Sequence, residues 1–218
     1  MSESVLFTTF DQIESKEPQW LWNPYIPLGH LTLVYGDNEE TVRCFLLELA
    51  SRISNGQIGD EPEASRSILF EDVDVAPVWI KNELEKHGGD TTKISCMDVS
   101  GLRYLLSAKD ELKEAGFKII VISSVEDYII SKSTSSREIS DRLKKLRFLA
   151  QDNECAMILG SRYIHPKRSG IGPYRVEVLK RVPRSVLEIE CEEDCLKILQ
   201  IKNNLVSEGE PVIWSLAH

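Results

Sequence analysis

Residues 36–43 read GDNEETVR and lie between an apolar run, LTLVY, and a stretch with helical periodicity. A turn from strand to helix is a place where backbone N–H groups and a helix N-terminus hold phosphate. A loop that does so reads G-x-x-x-x-G-K-[ST]. Its glycines let the backbone close around the phosphates, its lysine reaches the β- and γ-phosphates, and its hydroxyl holds magnesium. Here Gly36 is followed by Asp37, Asn38, Glu39 and Glu40, while Thr41, Val42 and Arg43 fill the glycine, lysine and hydroxyl positions. The carboxylates of Glu39 and Glu40 would repel an anion, and Val42 has no charge. Arg43 is the only local cation, and on a helix it points about 100° away from residue 42. Taken alone, the stretch is either an unrelated turn or a phosphate loop that has lost its chemistry.

A second group of chemically able residues lies at 162–184, RYIHPKRSGIGPYRVEVLKRVPR. Arg162, Lys167, Arg168, Arg175, Lys180, Arg181 and Arg184 stand there against a single acidic residue, Glu177, in a chain of net charge -9. Such segregation suits a nucleic-acid footprint, with Tyr163 and Tyr174 available to stack on bases. A solvated loop, or a basic interface facing an acidic neighbouring subunit, is the competing reading. The Ser-rich stretch 131–136, followed by Arg137, has the composition of a mobile loop.

Other candidates carry less. Cys191 and Cys195 bracket the acidic turn EED, but a zinc site needs two further ligands at a workable spacing. Cys155 and the scattered His30, His87, His165 and His218 do not supply them, so a hairpin with two thiols near its turn is the better reading and no metal is expected. The histidines have no nucleophile beside them, and no catalytic residue is proposed. Trp20, Trp22 and Tyr25 read as a packed structural arm rather than a ligand cage.

At 218 residues the chain fits one domain with a sizeable core. Five cysteines, an odd number, in a chain with no secretory features point to free thiols. No run is long and apolar enough to span a bilayer, and the acidic start MSESVLFTTFDQIESKEPQW is unlike a signal peptide, so a cytoplasmic protein without membrane contact is expected.

The elements that would position these residues follow from periodicity. PQWLWNPYIPL, with three prolines, reads as an extended arm over the first 28 residues. LTLVY is a buried strand, and Val42, Phe45, Leu46, Leu49, Ala50 and Ile53 recur at helical spacing up to Asn55-Gly56. Strands at SILF, KISCMDV, KIIVIS and CAMILG alternate with helices over 77–88, over 102–116 and around Ile139, Leu143, Leu146 and Leu149. Repeated alternation with near-continuous apolar strands predicts an α/β fold, a parallel sheet with helices on both faces across 29–161. After the basic region 162–184, VLEIE, CEEDC and LKILQI predict an antiparallel hairpin, with VIWSLA as a further strand over 185–218.

These residues together resemble the RecA-like P-loop ATPases, in particular the bacterial AAA family ATPase group found on mobile elements and among replicative-helicase-like proteins. WLWNPYIPLGHLTLVYGD is similar to that group's entry segment, W-x-W-x-x-Y-I-P-x-G-x-[ILV]-T-[ILV]-[ILV]-x-G-D. FLLELASRISNGQ looks like the helix after its phosphate loop, and PRSVLEI and IKNNL look like its C-terminal strands. The resemblance runs from about residue 20 to the end. It implies a RecA-like domain, and it implies that 162–184 and 131–136 face the central channel of a ring.

The resemblance fails wherever the family does chemistry. Residues 36–43 correspond to a degenerate Walker A loop. The metal-orienting aspartate falls on Ser123, a degenerate Walker B, with Glu126 and Asp127 expected in the loop beyond. The water-polarising glutamate falls on Val73, or after a shift on Glu71 or Asp72. The γ-phosphate sensor falls on Arg162 and His165. What is implied is a pseudo-ATPase with no cofactor, a binding or scaffold subunit in DNA replication or recombination. Its partners would be DNA and either copies of itself or an active RecA-like ATPase. The alternative is a divergent ATPase that binds ATP and magnesium in an altered site or with residues from a partner subunit.

Overall fold

The computed structural model describes residues 9–12, 17–58, 67–131, 133–161, 173–192 and 194–216, with residues 173–176 described by backbone alone. Ten strands and seven α-helices are found among them. β1 (Trp20–Trp22) and β2 (Ile26–Pro27) form an antiparallel pair of their own, so the proline-rich arm is a small hairpin rather than a simple extended segment. The main sheet contains β3 (Leu31–Gly36), β4 (Ile68–Glu71), β5 (Ile94–Ser95), β6 (Ile119–Ile122), β7 (Ala156–Ser161), β8 (Ser185–Glu192), β9 (Cys195–Asn203) and β10 (Val212–Ser215). Its order is β10-β9-β8-β3-β7-β6-β4-β5. β8 through β5 run parallel, and β9 and β10 add an antiparallel edge.

The helices are α1 (Glu39–Ser54), α2 (Pro77–Lys86), α3 (Leu102–Ser107), α4 (Lys109–Ala115), α5 (Val125–Ile129), α6 (Ser136–Asp152) and α7 (Pro173–Arg181). Their placement follows from crossover handedness. β3→α1→β4 and β4→α2→β5 step toward one edge, whereas β5→β6, β6→β7 and β7→β8 step toward the other. Right-handed crossovers in opposite directions must use opposite faces of the sheet. Accordingly Phe45, Leu46, Leu49, Ile80 and Leu84 of α1 and α2 share one core with Val34, Val121 and Ile158. Leu105, Leu112, Leu143, Leu146 and Leu179 share the other with Leu33, Ile120 and Met157. Neighbouring strand residues alternate between these cores, so both faces of each central strand are buried and the strand sequences read as unbroken apolar runs.

Four further sequence expectations change. The helix expected over 102–116 is divided at Ala108 into α3 and α4, and the Tyr104 carbonyl there accepts from both the Ala108 N–H and Ser107 Oγ. The strand expected at KISCMDV shrinks to two residues, because only Ile94 and Ser95 pair with β4. Glu126 and Asp127 lie in α5, not in a loop. The basic region is not all loop, since 173–181 is helical.

Candidate functional site

The turn after β3 contains only Asp37 and Asn38 before α1 begins at Glu39. Asn38 is the N-cap. Its backbone is extended, and its side-chain oxygen accepts from Thr41 N at 2.8 Å. Glu39 and Glu40 then fall in the first helical turn, where carboxylates favour the positive end of the helix dipole. The side chains that would repel a phosphate therefore stabilise the start of this helix.

Gly36 is present for a packing reason. A Cβ there would lie 2.8 Å from the Ile189 carbonyl oxygen of β8, 3.2 Å from Thr41 Cγ2 and 3.4 Å from Val42 Cγ2. Thr41 is 6% exposed and Val42 2% exposed, and Val42 belongs to the core on the α1 face. The volume beside Gly36 is occupied by these two side chains. The N–H of Thr41 already serves Asn38 Oδ1, and that of Val42 serves the Asn38 carbonyl at 3.3 Å.

Arg43 turns away from Gly36. Its Nη2 lies 2.6 Å from Glu39 Oε1, its Nε lies 3.5 Å from Asp72 Oδ2, and its guanidinium sits 6.0 Å from the Trp79 ring centroid. Nε and Oδ2 attract as charges without forming a hydrogen bond, since neither buried atom has a hydrogen-bond partner. Asp72 Oδ1 meanwhile accepts from Asp74 N and Val75 N, which shapes the turn after β4. Arg43 ties α1 to that turn.

The acidic strand end is Glu71 rather than Val73, which lies beyond β4 and is 37% exposed. Glu71 is 1% exposed. Its carboxylate accepts from Met97 N at 2.7 Å and from Tyr128 Oη at 2.8 Å. Burial, and then the Glu71 charge, push the Tyr128 phenol far above its ordinary value and keep it a donor. Ser123 follows β6, 9% exposed, with its N–H on the Glu71 carbonyl and its hydroxyl without a partner. Beside it the Ser161 hydroxyl donates to the buried Glu126 carboxylate.

The carboxyl ends of β3, β7, β6 and β4 thus bring Gly36, Ser161, Ser123 and Glu71 together. This is the crevice where helices leave on opposite faces and where open α/β sheets bind ligands. Among the described residues no group of histidine, cysteine, aspartate or glutamate side chains is arranged to hold a metal ion. The Tyr128–Glu71 and Ser161–Glu126 contacts escape sequence reading. The acidic residue that ends the run SILFE is the only local signal of Glu71.

A cavity of about 450 Å³ opens nearby, between α2 and the ends of β4 and β5. Phe70, Val75, Ile80, Leu84, Ile94 and Met97 make it mainly apolar, with Asp72 and Cys96 also lining it. All five cysteines are free. Burial pushes the thiols of Cys44 and Cys155 up to about 11 and about 12, which leaves both protonated and weakly nucleophilic near neutrality. Cys191 and Cys195 flank the β8–β9 turn, in the hairpin that their spacing suggested. In the arm, Trp22 lies 4.4 Å from Tyr25 and 5.1 Å from Trp214, centroid to centroid.

Of the basic residues, Arg162, Lys167 and Arg168 lie outside the described residues, as do Tyr163, His165 and His218, and Arg175 is described by backbone alone. Lys180 places its Nζ 4.5 Å from the Tyr35 ring centroid, on the opposite face of β3 from α1. Arg181 and Arg184 are exposed at the C-terminal end of α7 and in the turn to β8. Among the described residues no helix is long and apolar enough to cross a membrane.

No protein-family model matches the chain, and no curated protein matches it significantly.

Proposed function

We propose that this chain is a RecA-like pseudo-ATPase, a binding or scaffold subunit in a DNA-processing assembly that does not bind or hydrolyse ATP. The observation that carries the reading is the packing of Thr41 and Val42 onto Gly36 in the position that phosphates would need. Support for the ancestry comes from β3 at the middle of the sheet, with α1 leaving its carboxyl end and α7, between β7 and β8, packing on the other face. Phosphate contacts in a working loop are charge-assisted, each worth roughly 1.5–3 kcal/mol. Loss of two, about 4 kcal/mol, weakens a micromolar site roughly a thousandfold.

Calorimetry with ATP and magnesium tests the reading. The expected result is no binding at millimolar nucleotide and no rise in melting temperature, whereas a site saturated at a hundred times its Kd would add about 2.7 kcal/mol. A micromolar Kd would overturn the reading in favour of the divergent ATPase. The DNA-binding part rests on the cations of 162–184. If about four engage single-strand phosphates, log affinity falls with log salt at a slope near -3. The variant Lys167→Ala, Arg168→Ala, Lys180→Ala, Arg181→Ala is expected to lose most binding and to flatten that slope. Unchanged binding would assign the segment to a subunit interface, and a changed oligomer mass would then report that.

A further inference from the structure

At the amino edge of the same sheet, opposite the crevice, basic side chains from several elements gather. His30 immediately precedes β3 and Arg184 immediately precedes β8, and these strands are neighbours. The Arg184 N–H donates to the Leu31 carbonyl at 3.0 Å, which fixes the two residues side by side. Arg147 comes from the last two turns of α6, whose C-terminus feeds β7 at this same edge. Lys202 of β9 comes up beneath α7, its Nζ donating to the carbonyls of Lys180, Arg181 and Pro183 at 2.8, 3.0 and 2.7 Å.

These groups feel one another. The pKa of His30 is lowered by burial first and then by Arg184 and Arg147, and that of Lys202 by burial first and then by Arg184. Among the described residues, neither Arg147 nor Arg184 nor Lys202 makes an ion pair. His30 Nδ1 and Arg147 Nε are buried atoms with no hydrogen-bond partner. Charge of one sign held this way, with two polar atoms unsatisfied, lacks an anion. The carbonyls at the end of α7 are already occupied by the Lys202 ammonium, so they would not repel one.

We infer that His30, Arg147 and Arg184, supported by Lys202, form a phosphate site that holds the backbone of a single-stranded nucleic acid, with Phe148 as the platform for an adjacent base. The inference rests on the nucleic-acid reading above and assigns it a surface that includes residues outside 162–184. Phe148 is 53% exposed, and the Arg147 guanidinium lies 5.0 Å from its ring centroid. A guanidinium fork matches phosphate geometry, and an exposed aromatic ring beside cations is the arrangement on which unpaired bases stack. An acidic protein partner would use the charges but has no need of the ring.

The test is fluorescence anisotropy with a labelled oligothymidylate of twenty nucleotides, with circular dichroism confirming that each variant is folded. Arg147→Gln combined with Arg184→Gln is expected to weaken binding at least tenfold and to flatten the salt slope by about 1.4, the share of two single-strand phosphates. Phe148→Ala is expected to weaken binding severalfold with the slope unchanged, which a purely electrostatic or structural role would not produce. Lys81→Gln and Lys197→Gln, toward the carboxyl ends of β4 and β8, serve as controls and should bind like the parent. If the quadruple variant above loses binding while Arg147→Gln with Arg184→Gln stays within twofold of the parent, this inference fails and the nucleic-acid reading stands. If the parent itself does not bind the oligonucleotide, both fail. Titration with inorganic phosphate, read from the His30 ring resonances, separates the sources. A shift without oligonucleotide binding would mean that the site takes free phosphate, and would overturn the nucleic-acid assignment.

Discussion

Substitution of Val42 by lysine supplies the residue that a phosphate loop needs most, and the packing around Val42 predicts that no phosphate site follows. Val42 is 2% exposed and packs in the core on the α1 face, with Cγ2 aimed at Gly36. The substitution removes a buried valine, worth about 1.5 kcal/mol. It also places an ammonium in that apolar core, a cost of several kcal/mol that is reduced if the lysine stem bends toward the surface. A loss of at least about 3 kcal/mol is expected, which is a large part of the roughly 5–15 kcal/mol by which domains are stable. With an m-value of about 2 kcal/mol/M the urea midpoint should fall by about 1.5 M. Calorimetry at a temperature where the variant remains folded should detect no ATP. A variant as stable as the parent that binds ATP with micromolar affinity would show that the turn after β3 opens into a loop, and would refute the packing argument.

Tyr128→Phe leaves the buried Glu71 carboxylate with Met97 N alone, so a loss of about 2 kcal/mol and a fall of roughly 4–8 °C in melting temperature are expected by calorimetry. A melting temperature unchanged within one degree would mean that the hydrogen bond adds nothing net. At Gly160 a Cβ would stand 2.3 Å from the Ser123 carbonyl oxygen, so Gly160→Ala should cost at least about 3 kcal/mol, read from the urea midpoint. Gly88→Ala, in open space at φ 71°, should cost only about 1–2 kcal/mol, and equal losses at the two sites would contradict the close approach of β7 to the turn after β6. Because His30 titrates below its ordinary 6.5 in the folded chain, the unfolded chain takes up that proton first as pH falls. Stability should therefore decline below pH 6.5 until the folded pKa is passed, and His30→Asn should show a smaller decline in urea melts at pH 7.5 and 5.5.

The sequence by itself determined the kinds of element and much of their order. Unbroken apolar runs such as KIIVIS and CAMILG, set between helices with Leu143, Leu146 and Leu149 at helical spacing, leave little besides a parallel sheet covered on both faces. That residues 36–43 have neither the second glycine nor the lysine of a phosphate nest was likewise plain, because side-chain identity alone decides whether such a nest is chemically complete. What packs beside Gly36 was not legible. That Val42 packs on Gly36, and that Gly36 is needed by the Ile189 carbonyl, depends on β8 lying against β3, a contact between residues more than 150 apart in the chain. Local periodicity cannot report strand neighbours, which follow from crossover direction and from which faces find partners. For the same reason Glu71 rather than Val73 became the buried acidic end of β4, through a tyrosine 57 residues away. The basic groups of the amino edge came together only in three dimensions. His30, Arg147, Arg184 and Lys202 come from four different elements and turns, each unremarkable in sequence, and meet where the amino ends of β3 and β8, the end of α6 and the carboxyl end of antiparallel β9 lie on one side of the sheet.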